Sequence, residues 1–379
     1  MTDALRDLLA IRERGPRRVL GLNSGTSADG VDAALVEIDG DGERPRVTVL
    51  ASAHTHYPPG LGERVRAAST ATTAALAELD IEVAEAFADA ALALLTRAQL
   101  APDLIGSHGQ TVFHLPRRAT LQIGQAAVLA ERLGAPVVSD FRTRDVSAGG
   151  EGAPLVPLPD WILFAPESGH RALQNVGGIA NLTLVGPRRE DTLAFDTGPG
   201  NMPLDGAARA AAGLACDRDG ALAAAGHADD AIVAELASHP FFELRPPRST
   251  GRELFGDDWL APLLPRFAGR PEDLLATLTR FVAESIAGAY RRFVWPQTGP
   301  LPVYVSGGGA ANPTLVRELG RALSPSPVAT TAALGVDPAA KEAVAFALLA
   351  HETLWGRPGN LPSATGASGP RILGKITLK

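Results

Sequence analysis

One pattern, used twice, constrains the fold more than anything else in the chain. Residues 17–57, "RRVLGLNSGTSADGVDAALVEIDGDGERPRVTVLASAHTHY", run from an apolar segment through a glycine turn to a second apolar segment, a "DGDG" turn and a third. Short apolar runs separated by turn residues read as strands, and Asp39 to Gly42 supplies the turn chemistry between the second and third. The expectation is an antiparallel meander. At residues 171–186, "RALQNVGGIANLTLVG", the arrangement returns: apolar run, glycine turn with an asparagine, apolar run. Two halves that open alike suggest a duplicated α/β unit.

Between these openings the helix and strand signals alternate. Residues 60–98 are rich in alanine and leucine, and Ile81, Ala84, Phe87, Ala88 and Leu92 fit an apolar helical stripe. "DLIGSHGQTV" reads as a buried strand running into a loop, "IGQAAVLAERLG" as a helix stopped by Gly134, and "APVVSDF" as a strand. Strand, helix, strand implies parallel pairing through a right-handed crossover. Residues 145–160, "DVSAGGEGAPLVPLPD", concentrate glycine and proline and mark a domain boundary. Farther on, residues 271–294 and 338–351 read as helices, and "LPVYVSGGGAANPTLVRELG" as strand, glycine loop and helix. The tail from Arg357 to Gly369 is expected to be a loosely ordered loop before "RILGKITL". A chain of 379 residues is too long for one ordinary core. The expected domains are residues 17–150, completed by 352–379, and residues 151–351.

Thirty-five basic against 42 acidic residues leave a mildly acidic surface with no basic stripe, which argues against a nucleic-acid partner. The single cysteine, Cys216, allows no internal disulfide or thiolate cluster and favours a reducing compartment. The N-terminus lacks the apolar core of a signal peptide, and no stretch of 18 uninterrupted apolar residues follows. A cytoplasmic protein with no membrane partner is expected.

Several stretches have the makings of a site. "GLNSGTSADGVD" places Ser24, Gly25, Thr26 and Ser27 in a tight turn where backbone N–H groups and hydroxyls can converge on an anion. The lysine of a Walker A loop is missing, and a plain hairpin turn with solvated hydroxyls is the alternative. "GSHGQTVFHLP" sets His108, Gln110, Thr111 and His114 after an apolar strand, a place for substrate contacts or for merely exposed side chains. "GGIAN", ending in Asn181, and "SGGGAAN", with Gly307, Gly308 and Gly309, put glycines directly after strands, where the backbone can approach a base or pyrophosphate. In "FDTGPGNMPLD", Phe195 ends an apolar run, so Asp196 is expected at the carboxyl end of a strand with its side chain available as a general base. Gly198, Pro199, Gly200 and Asn201 follow as candidate substrate-binding positions, and Asp205 reads as a helix cap. Arg252, Glu253, Glu151 and Glu342 are further candidates whose orientation stays open; Glu342 sits at the start of a helix, facing either sugar or solvent.

Taken together, "SGTSADGVD", "SHGQTVFH", "GGEGAPLVP", "NVGGIANLT", "FDTGPGNMPLD", "STGRELF", "SGGGAANPTL" and "EAVAFALLA" closely resemble the anhydro-N-acetylmuramic acid kinase family, from about residue 20 to 352. The resemblance implies duplicated ribonuclease H-like α/β domains of the sugar kinase, actin and heat-shock ATPase superfamily, with an interdomain active-site cleft. It implies an enzyme that uses ATP, Mg2+ and water to open the ring of 1,6-anhydro-N-acetylmuramic acid and phosphorylate O6, and that forms a homodimer. Carried onto this chain, the family's catalytic base falls on Asp196. Its phosphate turn falls on Gly25, Thr26, Ser27, Asp29 and Gly30, with Asp29 near the metal, and its nucleotide glycines fall on Gly307, Gly308 and Gly309. Ala28 departs from the leucine more usual in that turn, a change expected to affect packing more than chemistry. A kinase of another anhydrosugar and a nucleotide-binding scaffold are the competing readings.

Overall fold

The structure, a computed structural model, describes residues 4–25 and 27–379. The candidate Thr26 lies outside the described residues. Two compact units divide the chain: one runs up to Leu163 and resumes at Ala339–Lys379, and the other is Phe164–Pro338.

In the first unit β1 (Arg17–Ser24), β2 (Gly30–Asp39) and β3 (Arg46–His56) form the expected antiparallel meander. β4 (Leu104–Leu115) lies parallel to β1, β5 (Ala119–Ile123) folds back antiparallel on the outer half of β4, and β6 (Val137–Ser139) lies parallel to β4. The order is β6-β4-β1-β2-β3, with the C-terminal strand Lys375–Thr377 antiparallel on β6. In the second unit β7 (Arg171–Val176), β8 (Ile179–Val185) and β9 (Leu193–Pro199) form another antiparallel meander, β10 (Val303–Ser306) runs parallel to β7, and β11 (Val328–Thr330) runs parallel to β10. Its order, β11-β10-β7-β8-β9, repeats the order and directions of the first five. The repeated sequence pattern builds the same sheet twice.

The helix Thr73–Ala98 starts where the Thr72 hydroxyl accepts from the Ala75 N–H. It buries Leu79, Val83, Phe87 and Leu94 in the first core. Ile81, two residues from Leu79, points the other way and is 44% exposed, so the stripe is set by 79, 83 and 87 and not by 81. The stretch expected as a loop after "DLIGS" continues as strand through Leu115, because Thr111 and Phe113 pair with Gln122 and Leu121 of β5. In the second unit the helix Pro271–Ala289 buries Leu278, Phe281, Val282 and Ile286 in that unit's core. Asn312 caps the helix Pro313–Ala322 through its Oδ1, which accepts from Leu315 N–H.

The domain limits differ from the expected ones at both crossings. The helix Lys341–Leu354 packs on β1, β2 and β4, on the face opposite the helix Thr73–Ala98. Gly21 and Gly106 lie opposite one another in β1 and β4, and a methyl group on them would overlap the carbonyls of Ala343 and Phe346. That close approach places residues 341–354 in the first unit, not the second. Residues 151–163 also stay with the first unit: Asp160, on the helix Pro157–Phe164, accepts from Lys341 Nζ at 2.8 and 3.1 Å, with both side chains almost fully buried.

The tail is ordered, contrary to its glycine and proline content. Asp145, fully buried, accepts from Asn360 Nδ2 at 2.6 Å, Thr365 Oγ1 at 2.8 Å and Gly152 N–H at 2.9 Å. Three donors on one buried carboxylate hold the tail to the segment that carries Glu151.

Replacing Gly21 with alanine forces the helix Lys341–Leu354 away from the sheet, so we expect a loss of about 2–3 kcal/mol in urea unfolding. An unchanged midpoint would show that the helix does not need this contact.

Candidate functional site

Strand register assembles the second unit's site. Ser306 on β10 lies opposite Asn175 on β7, Asn175 opposite Asn181 on β8, and Asn181 opposite Asp196 on β9. Directly paired residues point to the same face. The neighbours Val176, Ala180, Leu182, Phe195 and Val305 belong to the apolar core, so the four polar residues stand on the other face. Ser306 Oγ donates to Asn175 Oδ1 at 3.4 Å.

Asp196 does not end its strand, as expected, but sits in the middle of β9, which continues to Pro199. A bulge explains the difference. Ala180 pairs with Gly198 and Asn181 with Asp196, leaving Thr197 as an extra residue. The Thr197 hydroxyl donates to Ala180 O at 3.0 Å and accepts from Gln174 Nε2 at 3.2 Å. On the open edge of β9, Asp196 N–H donates to Arg248 O at 3.1 Å, and Thr250 N–H donates to Asp196 Oδ2 at 2.8 Å.

Three loops close over this end of the sheet. The N–H groups of Gly200, Asn201 and Met202 donate to the carbonyls of Gly178, Gly177 and Gly178 at 2.9, 2.7 and 3.1 Å. Asn201 Nδ2 donates to Val176 O at 3.3 Å. Gly200 and Asn201 therefore hold the Gly177–Gly178 turn, while Gly198 and Pro199 pair with Ala180 and Ile179 of β8. The helix begins at Asn201 with Gly200 as its cap, which removes the capping role from Asp205. Methyl groups at Gly307 and Gly309 would meet Asn175 and Val176, so those glycines let the loop lie flat on β7, while Gly308 faces only Asn201. Arg252 and Glu253 are exposed.

In the first unit the turn after β1 is held from several sides. Ala28, buried with a φ of 51°, donates its N–H to Gly25 O at 3.1 Å, and Tyr57 N–H donates to Asp29 O at 3.0 Å. Ser27 Oγ donates to Asp29 Oδ1 at 2.8 Å, and both residues are exposed. Ser24 Oγ and Tyr57 OH donate to Gln110 Oε1 at 2.7 and 3.2 Å, and Gln110 Nε2 donates to Gly25 O at 3.2 Å. Burial pushes the Tyr57 hydroxyl up to about 12, so it remains a neutral donor.

A second polar row crosses β1, β2 and β3: Asn23 opposite Asp32, Asp32 opposite His54. Asn23 Nδ2 donates to Glu342 Oε2 at 2.7 Å, and His54 Nδ1 lies 2.7 Å from Asp32 Oδ1. Burial pushes the Glu342 carboxyl above the usual range; Lys341 opposes this and Asp32 adds to it. Burial also raises the Asp32 carboxyl, against the bond from His54.

His108 is buried and stacked on Phe346, with ring centroids 4.4 Å apart. Arg142 Nε can only donate, and it reaches His108 Nε2 at 2.9 Å, which leaves the ring proton on Nδ1, 2.9 Å from Gly109 O. Burial first, and Arg142 second, hold the imidazole well below its usual range.

Thr111 accepts from Gln122 Nε2 at 3.2 Å, and Glu151 meets Arg117 at 3.4 Å. His114 lies with Thr120 at 3.1 Å. Thr111 and His114 take these partners within the β4–β5 hairpin and Glu151 takes a surface partner, while Gln110 Nε2 also donates to Thr111 O at 3.3 Å and so ties Thr111 to the network of the first turn. Among the described residues no group of three or more His, Cys, Asp or Glu side chains could hold a metal ion by itself. Sequence reading passed over Asn23, Asp32, His54 and Arg142 in the first unit and Asn175, Arg248, Thr250 and Ser306 in the second. Asn175 was within reach, since a hairpin closed by "GGI" pairs the two asparagines of "NVGGIAN".

The model of the family described as anhydro-N-acetylmuramic acid kinase matches residues 17–379. A protein of that name from Salinibacter ruber is 44% identical, covering 98% of each chain. One from Caldanaerobacter subterraneus subsp. tengcongensis is 42% identical over 98% of this chain and 99% of its own. Another, from Gloeobacter violaceus, is 44% identical over 95% of this chain and 98% of its own.

We expect His108 to remain neutral, with its proton on Nδ1, at about pH 6, where an exposed imidazole is mostly charged. Ring nitrogen chemical shifts read this directly, and an imidazolium or the other tautomer would contradict it. A folded value below the unfolded one means that the contribution of His108 to stability is whole above about pH 6.5 and is lost as pH falls below it.

Proposed function

This chain belongs to the anhydro-N-acetylmuramic acid kinase family, and on that premise we propose how its residues divide the work of the reaction. It is an ATP-dependent kinase that opens the 1,6-anhydro ring of 1,6-anhydro-N-acetylmuramic acid with water and phosphorylates O6, giving N-acetylmuramic acid 6-phosphate and ADP in peptidoglycan recycling.

In the anhydro sugar O6 is locked in an ether bridge and has no proton to lose. Asp196 takes a proton from water as the water oxygen bonds to C1. The C1–O6 bond breaks, and O6 bonds to the γ-phosphorus as the bond from phosphorus to ADP breaks. The proton on Asp196 is then released to solvent, so charge and atoms balance. The observation that carries this reading is the position of Asp196: half-buried, on the polar face of β9, with one carboxylate oxygen oriented by Thr250 N–H. A base fixed on a strand keeps its geometry better than one on a free loop.

The Ser24–Gly30 turn would receive phosphate through its backbone N–H groups and hydroxyls. Asn181 and the Gly307–Gly309 loop would meet the nucleotide. Glu342, His108 and Gln110 would face the sugar, His108 as a neutral ring held by Arg142.

Magnesium fits the oxygen chemistry of the turn, since this ion is held through one or two carboxylates and the substrate's phosphates without a full protein cage. Asp29, exposed and oriented by Ser27, would be the carboxylate. When bound, the ion offsets charge on the phosphoryl oxygens. A homodimer and a cytoplasmic location complete the proposal; both rest on the sequence reading.

Asp196→Asn preserves the size and the oxygen that accepts from Thr250 while removing the base. Turnover should fall by at least about 100-fold with ATP binding and melting temperature unchanged. Near-normal turnover in a folded variant would rule out the role.

A further inference from the structure

Arg248 lies 52 positions beyond Asp196 in sequence and against it in the fold. Among the described residues β9 is the edge of its sheet, paired only with β8. An edge strand carries backbone groups with no partner in the sheet. Here Arg248 meets them twice: its carbonyl accepts from Asp196 N–H at 3.1 Å, and its Nε donates to Asp196 O at 2.9 Å. The guanidinium also donates to Thr197 O at 3.3 Å and to the carbonyls of Phe241, Phe242 and Leu244 at 3.3, 3.2 and 3.0 Å.

All of these acceptors are neutral. Arg248 is 8% exposed, and its guanidinium carbon stands 5.5, 4.7 and 5.2 Å from the ring centroids of Phe195, Phe241 and Phe293. A buried cation without a bonded carboxylate is unfavourable unless a nearby negative charge offsets it. The charged groups around it are Asp196, which favours the cation, and Arg292, which opposes it. Arg292 is itself paired with Glu243 at 2.6 Å and donates to Phe242 O at 2.9 Å. Burial draws the Arg248 guanidinium down to about 10, which leaves it charged at neutral pH.

We propose that Arg248 is the positioning residue for Asp196: it locks the backbone of the β9 edge on both sides of the carboxylate and supplies the buried positive charge that carboxylate faces. The proposal rests on the reading of Asp196 as the base. A filler of the aromatic cage would need no charge, and a clamp of the backbone alone would not influence the pH at which the carboxylate works.

The test compares Arg248→Met and Arg248→Lys with the wild-type enzyme by pH profiles of kcat and kcat/KM on MgATP and 1,6-anhydro-N-acetylmuramic acid. In Arg248→Met, kcat should fall at least about tenfold with KM for ATP within about twofold. The acid limb should move up by about one pH unit, because a carboxylate that loses a nearby cation protonates more readily. In Arg248→Lys the limb should stay at its wild-type position, since the charge is kept. Its kcat should stay several-fold low, since an ammonium cannot reproduce the guanidinium fork. A folded Arg248→Met with an unmoved limb overturns the proposal. Should the methionine variant not fold, Arg248→Lys decides, and wild-type kcat in it overturns the proposal. Asp196→Asn, measured alongside, separates the two readings: an active Asp196→Asn removes the base itself, whereas an inactive one with an unmoved limb in Arg248→Met removes only the role of Arg248.

Discussion

Thr197 holds the second unit's site in register. Its hydroxyl, bonded to Ala180 O and Gln174, stabilises one extra residue in β9. Because side chains alternate along a strand, a slip of one residue would turn Asp196 into the core and Phe195 out of it. The bulge lets both demands be met: Phe195 packs in the apolar cluster, Asp196 stands beside Asn181, and the chain beyond is re-aimed so that Gly200 and Asn201 dock on the Gly177–Gly178 turn. The proposed chemistry depends on that local geometry, since a base displaced from its proton loses most of its value.

The two sheets show how one topology supports different work. In each, an asparagine near the end of the first strand begins a polar row across the meander: Asn23, Asp32 and His54 in one, Asn175, Asn181 and Asp196 in the other. In the first unit the helix Lys341–Leu354 lies on that face, seated by Gly21 and Gly106, and brings Glu342 to Asn23. The row there is a network of half-buried acids, Asp32 and Glu342, whose carboxyls burial raises above their usual range. In the second unit the row ends at a carboxylate braced from the sheet edge.

What the sequence disclosed was local. Each meander, the helix stopped by Gly134, the glycine loop before Pro313 and the parallel pairing of β4 with β6 follow from turn residues and periodicity within short windows. The same local reading singled out Asp196 and the two glycine turns, which strand register and loop packing bring together in the second unit. It misplaced the limits of the units because the decisive interactions, Gly21 against Ala343 and Lys341 with Asp160, join residues far apart in sequence. It took the tail for a loose loop because composition says nothing of a buried Asp145 waiting for Asn360 and Thr365. Arg248 escaped for the same reason. A guanidinium bonded only to carbonyls leaves no complementary charge in the sequence to announce it.

The central claim is that water, relieved of its proton by Asp196, adds at C1 while O6 receives phosphate. Mass spectrometry of the sugar formed from 1,6-anhydro-N-acetylmuramic acid and MgATP in water enriched in heavy oxygen tests this most directly. The account predicts one heavy atom per phosphorylated sugar, on the C1 hydroxyl, and none on the phosphoryl group. Heavy oxygen confined to inorganic phosphate, or a phosphorylated sugar without it, would contradict the coupled mechanism.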